Sequence, residues 1–329
     1  MEHLTDRIPT LTGDEIVAHL IPPRQFVEAT LDSYRPDANY PSQAEAVAAI
    51  REFVGSWKPG GLFSRRRTSV RPGIYLDGGF GVGKTHLLAA LWREAQGRKY
   101  FGTFLEYTSL VGALGYQSAF RLLQGASLIC IDEFELDDPG DTRIMSRLLG
   151  ELAAGGTRVA ATSNTPPNAL GEGRFAAQDF LREIDALSAQ FLTLRIDGLD
   201  YRRRDLEGHA LSISAADLAS AAEKFSGAIT IDPFVDVVAH LAKVHPSKYV
   251  KLVDGLDAVA LTDVQVLTSQ TDALRLVAFV DRLYDAQVPI LASGIPLDQV
   301  FAEDMLAGGY RKKYLRAVSR MIALTNGEA

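Results

Sequence analysis

The segment Tyr75–Leu88, "YLDGGFGVGKTHLL", places four glycines and one lysine between a short apolar run and a longer amphipathic one. Within it, Gly78–Thr85 matches the Walker A pattern G-x-x-x-x-G-K-[ST] in full. Such a loop turns successive backbone N–H groups toward a phosphate, and the following helix adds a favourable field at its N-terminus. The alternative is a glycine-rich turn with a chance lysine. The strand before the segment and the helix after it favour the phosphate-binding loop, or P-loop.

The P-loop also predicts which residues contact a nucleotide. Lys84 is expected to reach the β and γ phosphates, and the hydroxyl of Thr85 is expected to bind Mg²⁺. ATP and Mg²⁺ are therefore the predicted cofactors. The predicted contacts of the loop are Gly78, Gly79, Phe80, Gly81, Val82, Gly83, Lys84, Thr85 and His86.

A second motif, "LICIDEF" at Leu128–Phe134, is an apolar strand followed by two carboxylates, which is the Walker B pattern. Because ligands bind at the carboxyl edge of a parallel sheet, Asp132 is expected to bind the metal. Glu133 beside it can orient and activate a water against the γ phosphate, which favours hydrolysis over transfer to a small acceptor. The motif therefore predicts Glu133 as the catalytic base of an ATPase.

A third motif, "VAATSN" at Val159–Asn164, is an apolar strand that runs into a polar amide. Asn164 can hydrogen-bond both the attacking water and the γ phosphate, and so sense whether the phosphate is present. The alternative is a turn at the end of the strand, where asparagine is common. Together with the other two motifs, the pattern favours the sensor.

Positive charge beside the γ phosphate is a further requirement of many such sites, and it often comes from a neighbouring subunit. The segment "GEGRFAAQDFLREI" offers Arg174 first and Arg182 second. Arg275, much later in the chain, offers charge from a C-terminal lid. For each of the three, an ordinary surface arginine is the alternative. An arginine given to a neighbour implies an ATP-dependent homo-oligomer.

Two residues at a helix start, in "NYPSQAEAV", are suited to an adenine base. The amide of Gln43 offers both a donor and an acceptor, and Tyr40 offers a stacking face. The alternative is a capped helix with incidental neighbours, because Ser42 is a predicted N-cap and Glu45 completes a capping box. The spacing alone favours neither.

The remaining pattern predicts an α/β protein. Short, continuously apolar runs alternate with helical segments, which is typical of a parallel sheet covered on both faces. The runs predict a five-stranded parallel sheet; they are "GIYLDG", "GTFLEYT", "SLICIDE", "TRVAATSN" and "FLTLRID". We expect a helical N-terminal segment at 1–58, the core at 59–200, and a C-terminal lid or accessory α/β domain at 201–329.

Composition narrows the class of protein without naming a partner. The 329 residues carry a net charge of −7, which argues against a protein surface that binds nucleic acid without specificity. The single cysteine, Cys130, rules out an intramolecular disulfide and fits a reducing compartment. Since the N-terminus lacks a signal-peptide pattern and no apolar run approaches membrane-spanning length, we expect a cytoplasmic protein.

The order of these motifs resembles the AAA+ ATPases, and more narrowly the ZapE-like cell-division ATPases, which include mitochondrial relatives. The resemblance rests on the P-loop, on "LICIDEFELDDPGDTRIMSRLL", on "VAATSNTPPNAL" and on the closing "YLRAVSR", so it covers most of the chain. The run from Phe134 to Asp141, with acids at Asp138 and Asp141, is fairly specific to that family.

The resemblance implies a P-loop AAA+ core and an ATP-driven regulator of a protein partner. In bacteria that partner is the tubulin-like protein of the division ring, and the mitochondrial relatives act in protein quality control. By position, it implies phosphate and Mg²⁺ ligation by Lys84 and Thr85. It likewise implies metal ligation by Asp132, base catalysis by Glu133 and sensing by Asn164.

The sequence departs from that family at two places. A His-Phe-His-rich segment usually follows the P-loop helix, and here "YFGTFLEYTSLVGALGYQSAF" stands instead. Paired arginines are usual before the family's "FLPFI", and here Ala177 and Asp179 stand there, which leaves Arg174 offset.

Two other functions fit part of the pattern. An ATP switch acting on DNA, similar to the helicase loaders, fits the third motif and a basic C-terminal helix. Its phosphate contacts would be Arg311, Lys312, Lys313 and Arg316. A solvated helix face on an acidic protein is the favoured alternative. A small-molecule kinase fits the P-loop equally well, but it fits Glu133 and Asn164 poorly.

Overall fold

The structure is a computed structural model, and it describes most of the chain. It describes residues 2–10, 12–57, 71–79, 81–134, 139–166, 189, 191–199 and 208–327, apart from the side chains of Pro139, Ser247 and Lys312. The chain forms two compact units. We call Thr12–Tyr201 the P-loop unit, and Met1–Leu11 with Arg202–Ala329 the C-terminal unit. The predicted domain boundaries at 58/59 and 200/201 both lie outside the described residues.

The P-loop unit is a parallel sheet with helices around it. Its described strands are β1 (Gly73–Gly78), β2 (Lys99–Thr103), β3 (Leu128–Asp132), β4 (Arg158–Ser163) and β5 (Phe191–Ile196). Its described helices are α1 (Gly13–Ala18), α2 (Pro41–Gly55), α3 (Lys84–Glu94), α4 (Phe104–Leu114), α5 (Tyr116–Leu123) and α6 (Pro139–Ala154). The strands lie in the order β2-β3-β4-β1-β5, and every pair is parallel. This confirms the predicted five-stranded parallel sheet.

Both faces of this sheet are covered, which explains its continuously apolar strands. Every residue of β1 and β3 is buried. Leu76 belongs to one core cluster together with Ile50 of α2 and Leu88 of α3. On the other face the ring of Tyr75 meets those of Phe134 and Phe191 edge-on, with centroids 6.2 and 5.8 Å away. A strand buried on both faces needs no polar alternation.

Two local predictions differ from the structure. The run "GTFLEYT" is a strand only to Thr103, because Thr103 and Glu106 form a capping box that begins α4 at Phe104. Tyr40, not Ser42, is the N-cap residue of α2, and Pro41 follows it. The Ser42 hydroxyl instead accepts a hydrogen bond from the backbone N–H of Asp197, at 2.9 Å. The start of α2 is therefore tied to the end of β5.

The C-terminal unit has its own parallel sheet. Its described strands are β6 (Ile229–Pro233), β7 (Ala258–Val264) and β8 (Ile290–Gly294), paired in that order. Its described helices are α7 (Ala215–Lys224), α8 (Phe234–Leu241), α9 (Tyr249–Leu252), α10 (Gln270–Ala286), α11 (Glu303–Ala307) and α12 (Arg311–Asn326). Across the described ranges, no helix has the length and hydropathy to span a bilayer.

The first residues of the chain are part of the C-terminal unit. Glu2 forms a parallel bridge with Thr230 of β6, and the Leu4 side chain is fully buried in the core of the unit. The buried Asp232 carboxylate accepts hydrogen bonds from the Leu4 N–H and the Thr5 hydroxyl, both at 2.8 Å. No sequence pattern predicts this contact, because its two partners lie more than two hundred residues apart.

A buried ionic cluster holds two helices of the C-terminal unit together. Asp281 of α10 accepts hydrogen bonds from Arg316, at 2.7 Å, and from Arg320, both on α12. Burial by itself raises the pKa of Asp281, but the guanidinium groups of Arg316, Arg320 and Arg282 outweigh burial and lower that pKa to about 2. The carboxylate is thus charged at neutral pH and is shared by two buried arginines.

Replacing Asp281 by asparagine should destabilise the C-terminal unit by about 3–5 kcal/mol, because two buried guanidinium groups then lose the carboxylate that they share. Far-UV circular dichroism during urea unfolding measures the change. Tryptophan fluorescence follows the P-loop unit separately, since Trp57 and Trp92 both lie in that unit. Because the folded pKa is lowered, the contribution of Asp281 is present above about pH 4 and is lost as the pH falls toward 2.

Asp254→Asn is the matched control. Asp254 is 57% exposed and lies 3.7 Å from Lys251, so its removal should cost about 0–1 kcal/mol. Equal destabilisation by the two substitutions would contradict the role given to Asp281.

Candidate functional site

The P-loop connects β1 to α3 and takes a conformation that depends on glycine. Gly83, the N-cap of α3, has φ +84°, in the left-handed region. A Cβ on Gly83 would lie 2.5 Å from Cε2 of Tyr34. The Tyr34 hydroxyl also donates a hydrogen bond to the carbonyl of Val82, at 2.8 Å. Tyr34, which the sequence motifs did not single out, therefore braces the loop.

Lys84 and Asn164 lie together at the end of the sheet. The Lys84 ammonium donates to the carbonyl of Gly78 and to Oδ1 of Asn164, each at 2.9 Å, and also to the carbonyl of Gly79. The lysine begins α3 and the asparagine follows β4, two elements that both reach the carboxyl edge of the sheet. The structure thus brings together two residues that separate motifs predicted.

Thr85 and Asp132 form a second contact at the same edge. The Thr85 hydroxyl lies 3.1 and 3.2 Å from the two carboxylate oxygens of Asp132. Asp132 is 7% exposed and also accepts a hydrogen bond from the Thr162 hydroxyl. A hydroxyl and a carboxylate in contact are the hard oxygen donors that Mg²⁺ prefers.

Glu133 directly follows β3 in an unusual backbone conformation. Its φ is +54°, which is rare for a residue with a side chain. The Glu133 N–H donates to the Thr162 hydroxyl at 3.0 Å, and the Phe134 N–H donates to the Thr162 carbonyl at 2.7 Å. The Phe134 ring is buried against Tyr75. The chain therefore turns sharply at Glu133 between a buried aspartate and a buried phenylalanine.

His86, a predicted loop contact, makes its described contacts with the preceding segment of the chain. Its Nε2 lies 3.0 Å from both the Ser33 hydroxyl and the Thr30 carbonyl. Its ring centroid lies 5.7 Å from that of Tyr34. These contacts attach the segment around residues 30–34 to the first turn of α3. A nucleotide contact by His86 stays a prediction.

The two residues predicted to contact adenine have different surroundings. Gln43 is 3% exposed, and both ends of its amide are engaged: Oε1 accepts from the Asp37 N–H at 2.8 Å, and Nε2 donates to the Asp197 carbonyl at 2.9 Å. These bonds favour a structural role for Gln43. Tyr40 is half-buried at the N-cap of α2. The adenine assignment of both residues stays a prediction.

A fixed cation lies beside β1, just before the P-loop. Arg195 of β5 donates to the buried carboxylate of Asp77, at 2.9 Å, and to Asp197, at 3.1 Å. Hydrogen bonds to Asp77 and then to Asp197 raise the pKa of Arg195 further above its ordinary value. The sequence motifs did not indicate this pair, because the two strands are adjacent only in the sheet.

The predicted arginines are less well defined. Arg174, Arg182 and the loop residue Phe80 lie outside the described residues. Arg275 lies on α10 of the C-terminal unit, where it contacts Asp272 at 2.8 Å. Whether any of the three arginines acts at the site stays a prediction.

The basic C-terminal helix differs from expectation in one respect. Arg316 is 8% exposed and bonded to Asp281, so it lies neither on a solvated helix face, as the sequence favoured, nor where it could contact nucleic-acid phosphates. Side chains on a helix return to the same face about every 3.6 residues, and the charges in a sequence do not show which face the helix buries. Arg311 is exposed and Lys313 is half-buried, while the side chain of Lys312 is outside the description.

The family model of the AFG1-like ATPases matches residues 13–329. The chain belongs to the AFG1-like ATPase family. It is therefore an ATP-binding protein that hydrolyses ATP, which supports hydrolysis over the kinase alternative. The match includes the P-loop, Asp132, Glu133 and Asn164 within its range.

Individual relatives are similar to this chain at low sequence identity. The chain is 27% identical to "Cell division protein ZapE" of Escherichia coli strain K12, over 93% of this chain and 96% of that protein. It is 26% identical to "Lactation elevated protein 1 homolog B" of Danio rerio, over 41% of this chain and 31% of that protein. Among solved structures, the crystal structure of DnaI is similar over 54% of this chain and 97% of the DnaI chain, at 19% identity and a TM-score of 0.41.

Replacing Gly83 by alanine should destabilise the P-loop unit by at least about 1–2 kcal/mol. The left-handed backbone accounts for that amount, and the clash with Tyr34 adds to it. Tryptophan fluorescence during urea unfolding measures the effect. Gly79→Ala is the control, because a Cβ there meets nothing within 4 Å. Equal unfolding midpoints for the two variants would contradict this account of the loop.

Proposed function

We propose that the P-loop unit hydrolyses ATP with Glu133 as the base that activates water, and that the chain uses this reaction to regulate a protein partner. The observation that carries the proposal is the meeting of the three motifs at one sheet edge. Lys84 contacts Asn164, and Thr85 contacts Asp132, with Glu133 the next residue. Motifs that are unrelated in sequence converge as one hydrolytic site requires.

The contact between Thr85 and Asp132 supports Mg²⁺ as the cofactor. Their oxygen atoms are 3.1 to 3.2 Å apart, so one small cation can be held at or near both. Magnesium usually keeps several waters and takes few protein ligands, which suits a site of this size. When bound beside the phosphates, the ion would neutralise developing negative charge.

The protein residues then divide the remaining work. The Lys84 ammonium, now bonded to two loop carbonyls, is placed to exchange them for phosphate oxygens. Water adds to the γ phosphorus while the bond from that phosphorus to the ADP oxygen breaks, and the water proton passes to the Glu133 carboxylate. Asn164, which accepts a hydrogen bond from Lys84, would report whether the γ phosphate is present.

Glu133→Gln should reduce the turnover of ATP by at least about a hundredfold, because an amide cannot accept the proton from water. ATP binding should persist, since the P-loop is unchanged. Phosphate release measures turnover, and a fluorescent ATP analogue measures binding. Glu52→Gln, on the exposed side of α2, is the matched control and should behave as the unchanged protein. Turnover by Glu133→Gln at the unchanged rate would refute this role for Glu133.

The partner that we propose is the tubulin-like protein of the division ring, acted on by an ATP-dependent homo-oligomer. Support comes from the similarity to "Cell division protein ZapE" along nearly the whole chain. In such an oligomer, Arg174 or Arg182 would supply charge to the site of a neighbouring subunit. The proposal places the chain in the cytoplasm, at the site of division.

A variant that binds ATP without hydrolysing it should hold its partner longer. Glu133→Gln with ATP should therefore sediment with polymers of the tubulin-like division protein of the same organism, at several times the amount seen with ADP. Lys84→Ala, which should not bind ATP, is the control. Equal sedimentation with ATP and ADP would count against this partner, and mass spectrometry of crosslinked material would then search for another.

Binding to DNA receives less support. With Arg316 buried, the basic face of α12 loses one of its four predicted phosphate contacts. A titration with single-stranded DNA at two salt concentrations distinguishes a DNA switch from a regulator of a protein partner, because phosphate contacts weaken steeply with salt. Affinity that falls steeply with salt would favour the DNA switch over a protein partner.

A further inference from the structure

Thr162 of β4 contacts three consecutive residues of the Walker B segment. Its hydroxyl donates to Oδ1 of Asp132 and accepts from the N–H of Glu133, at 3.0 Å. Its carbonyl accepts from the N–H of Phe134, at 2.7 Å. The side chain is 1% exposed, so water does not compete for these bonds. One buried threonine therefore fixes both the aspartate and the backbone of the glutamate.

The conformation of Glu133 gives this contact its importance. A left-handed φ costs a residue with a side chain about 1–2 kcal/mol, so neighbouring contacts must hold it. The direction in which the Glu133 carboxylate leaves the backbone depends on that φ. A hydroxyl has one proton to donate and lone pairs to accept with, and Thr162 uses both functions here.

Thr162 also lies two residues before Asn164. β4 ends at Ser163, so Asn164 is the first residue beyond the strand. The end of β4 thus presents the contact to Asp132 and Glu133 and, just beyond it, the contact to Lys84. A shift of this strand end would move the two contacts together.

We propose that Thr162 is a positioning residue for hydrolysis. Through its hydrogen bond to the Glu133 backbone it sets the direction of the Glu133 carboxylate, and it also holds Asp132 in place. This rests on the proposed function of Glu133 as the base. The serine hydroxyl can make the same two bonds, whereas valine has the shape of threonine and can make neither. The two substitutions therefore separate the hydroxyl from the volume of the side chain.

Thr162→Val should lower kcat for ATP by about 10–100-fold, as commonly happens when a residue that hydrogen-bonds a metal ligand is lost. KM and the affinity for a fluorescent ATP analogue should change less than about threefold. Thr162→Ser should keep most of kcat. Thr157→Val is the matched control, because the Thr157 side chain is equally buried and its hydroxyl has no hydrogen-bond partner among the described residues. This control should keep kcat unchanged.

The outcomes separate the possible failures. Normal kcat in Thr162→Val, with Glu133→Gln inactive, overturns the positioning role and leaves the proposed function intact. Normal kcat in Glu133→Gln overturns the proposed function itself, and a slow Thr162→Val would then act through Asp132 alone. Equal loss in Thr162→Ser and Thr162→Val makes Thr162 a packing residue and also overturns the inference.

Folding is checked by tryptophan fluorescence, which reports the P-loop unit. If Thr162→Val does not fold, Thr162→Cys replaces it, because cysteine has the shape of serine and its thiol, although larger than a hydroxyl, hydrogen-bonds only weakly. Its kcat should then fall well below that of Thr162→Ser. Equal kcat in those two variants overturns the inference.

Discussion

Parallel strands end at one edge of a sheet, and the site depends on this constraint. β1, β3 and β4 are neighbours in the sheet, so the residues that follow them meet although the chain separates them widely. The pairing of Ile131 with Ala161 sets the register that places Asp132 beside Thr162. A shift by one residue would turn these side chains to the opposite face, so register and chemistry are linked.

Hydrogen bonds between strand ends then convert this placement into a specific geometry. β4 contributes Thr162 to the Walker B segment and is followed by Asn164, which contacts the P-loop lysine. Two nucleotide-binding motifs are thereby connected through a third strand. Tyr34, from an earlier part of the chain, contacts the P-loop at Val82 and Gly83. The conformation of the loop therefore depends on this contact as well as on its glycines.

The C-terminal unit is stabilised by different means. Its core is large and apolar, but the contact between α10 and α12 includes a carboxylate shared by two buried arginines. Its sheet is extended at one side by the first residues of the chain, which lie before the P-loop unit in sequence. The first residues of the chain and α12, its last described helix, therefore both pack in the C-terminal unit.

The sequence by itself determined the P-loop, the parallel sheet and the family, because these depend on local patterns: glycine spacing, apolar runs and a carboxylate after a strand. It also indicated Lys84, Thr85, Asp132, Glu133 and Asn164. Tertiary structure alone decided the contacts of Thr162 and Tyr34, the inward direction of Arg316 and the partner of Leu4. Each depends on a contact between distant segments, and a pattern along one chain does not encode which strands become neighbours.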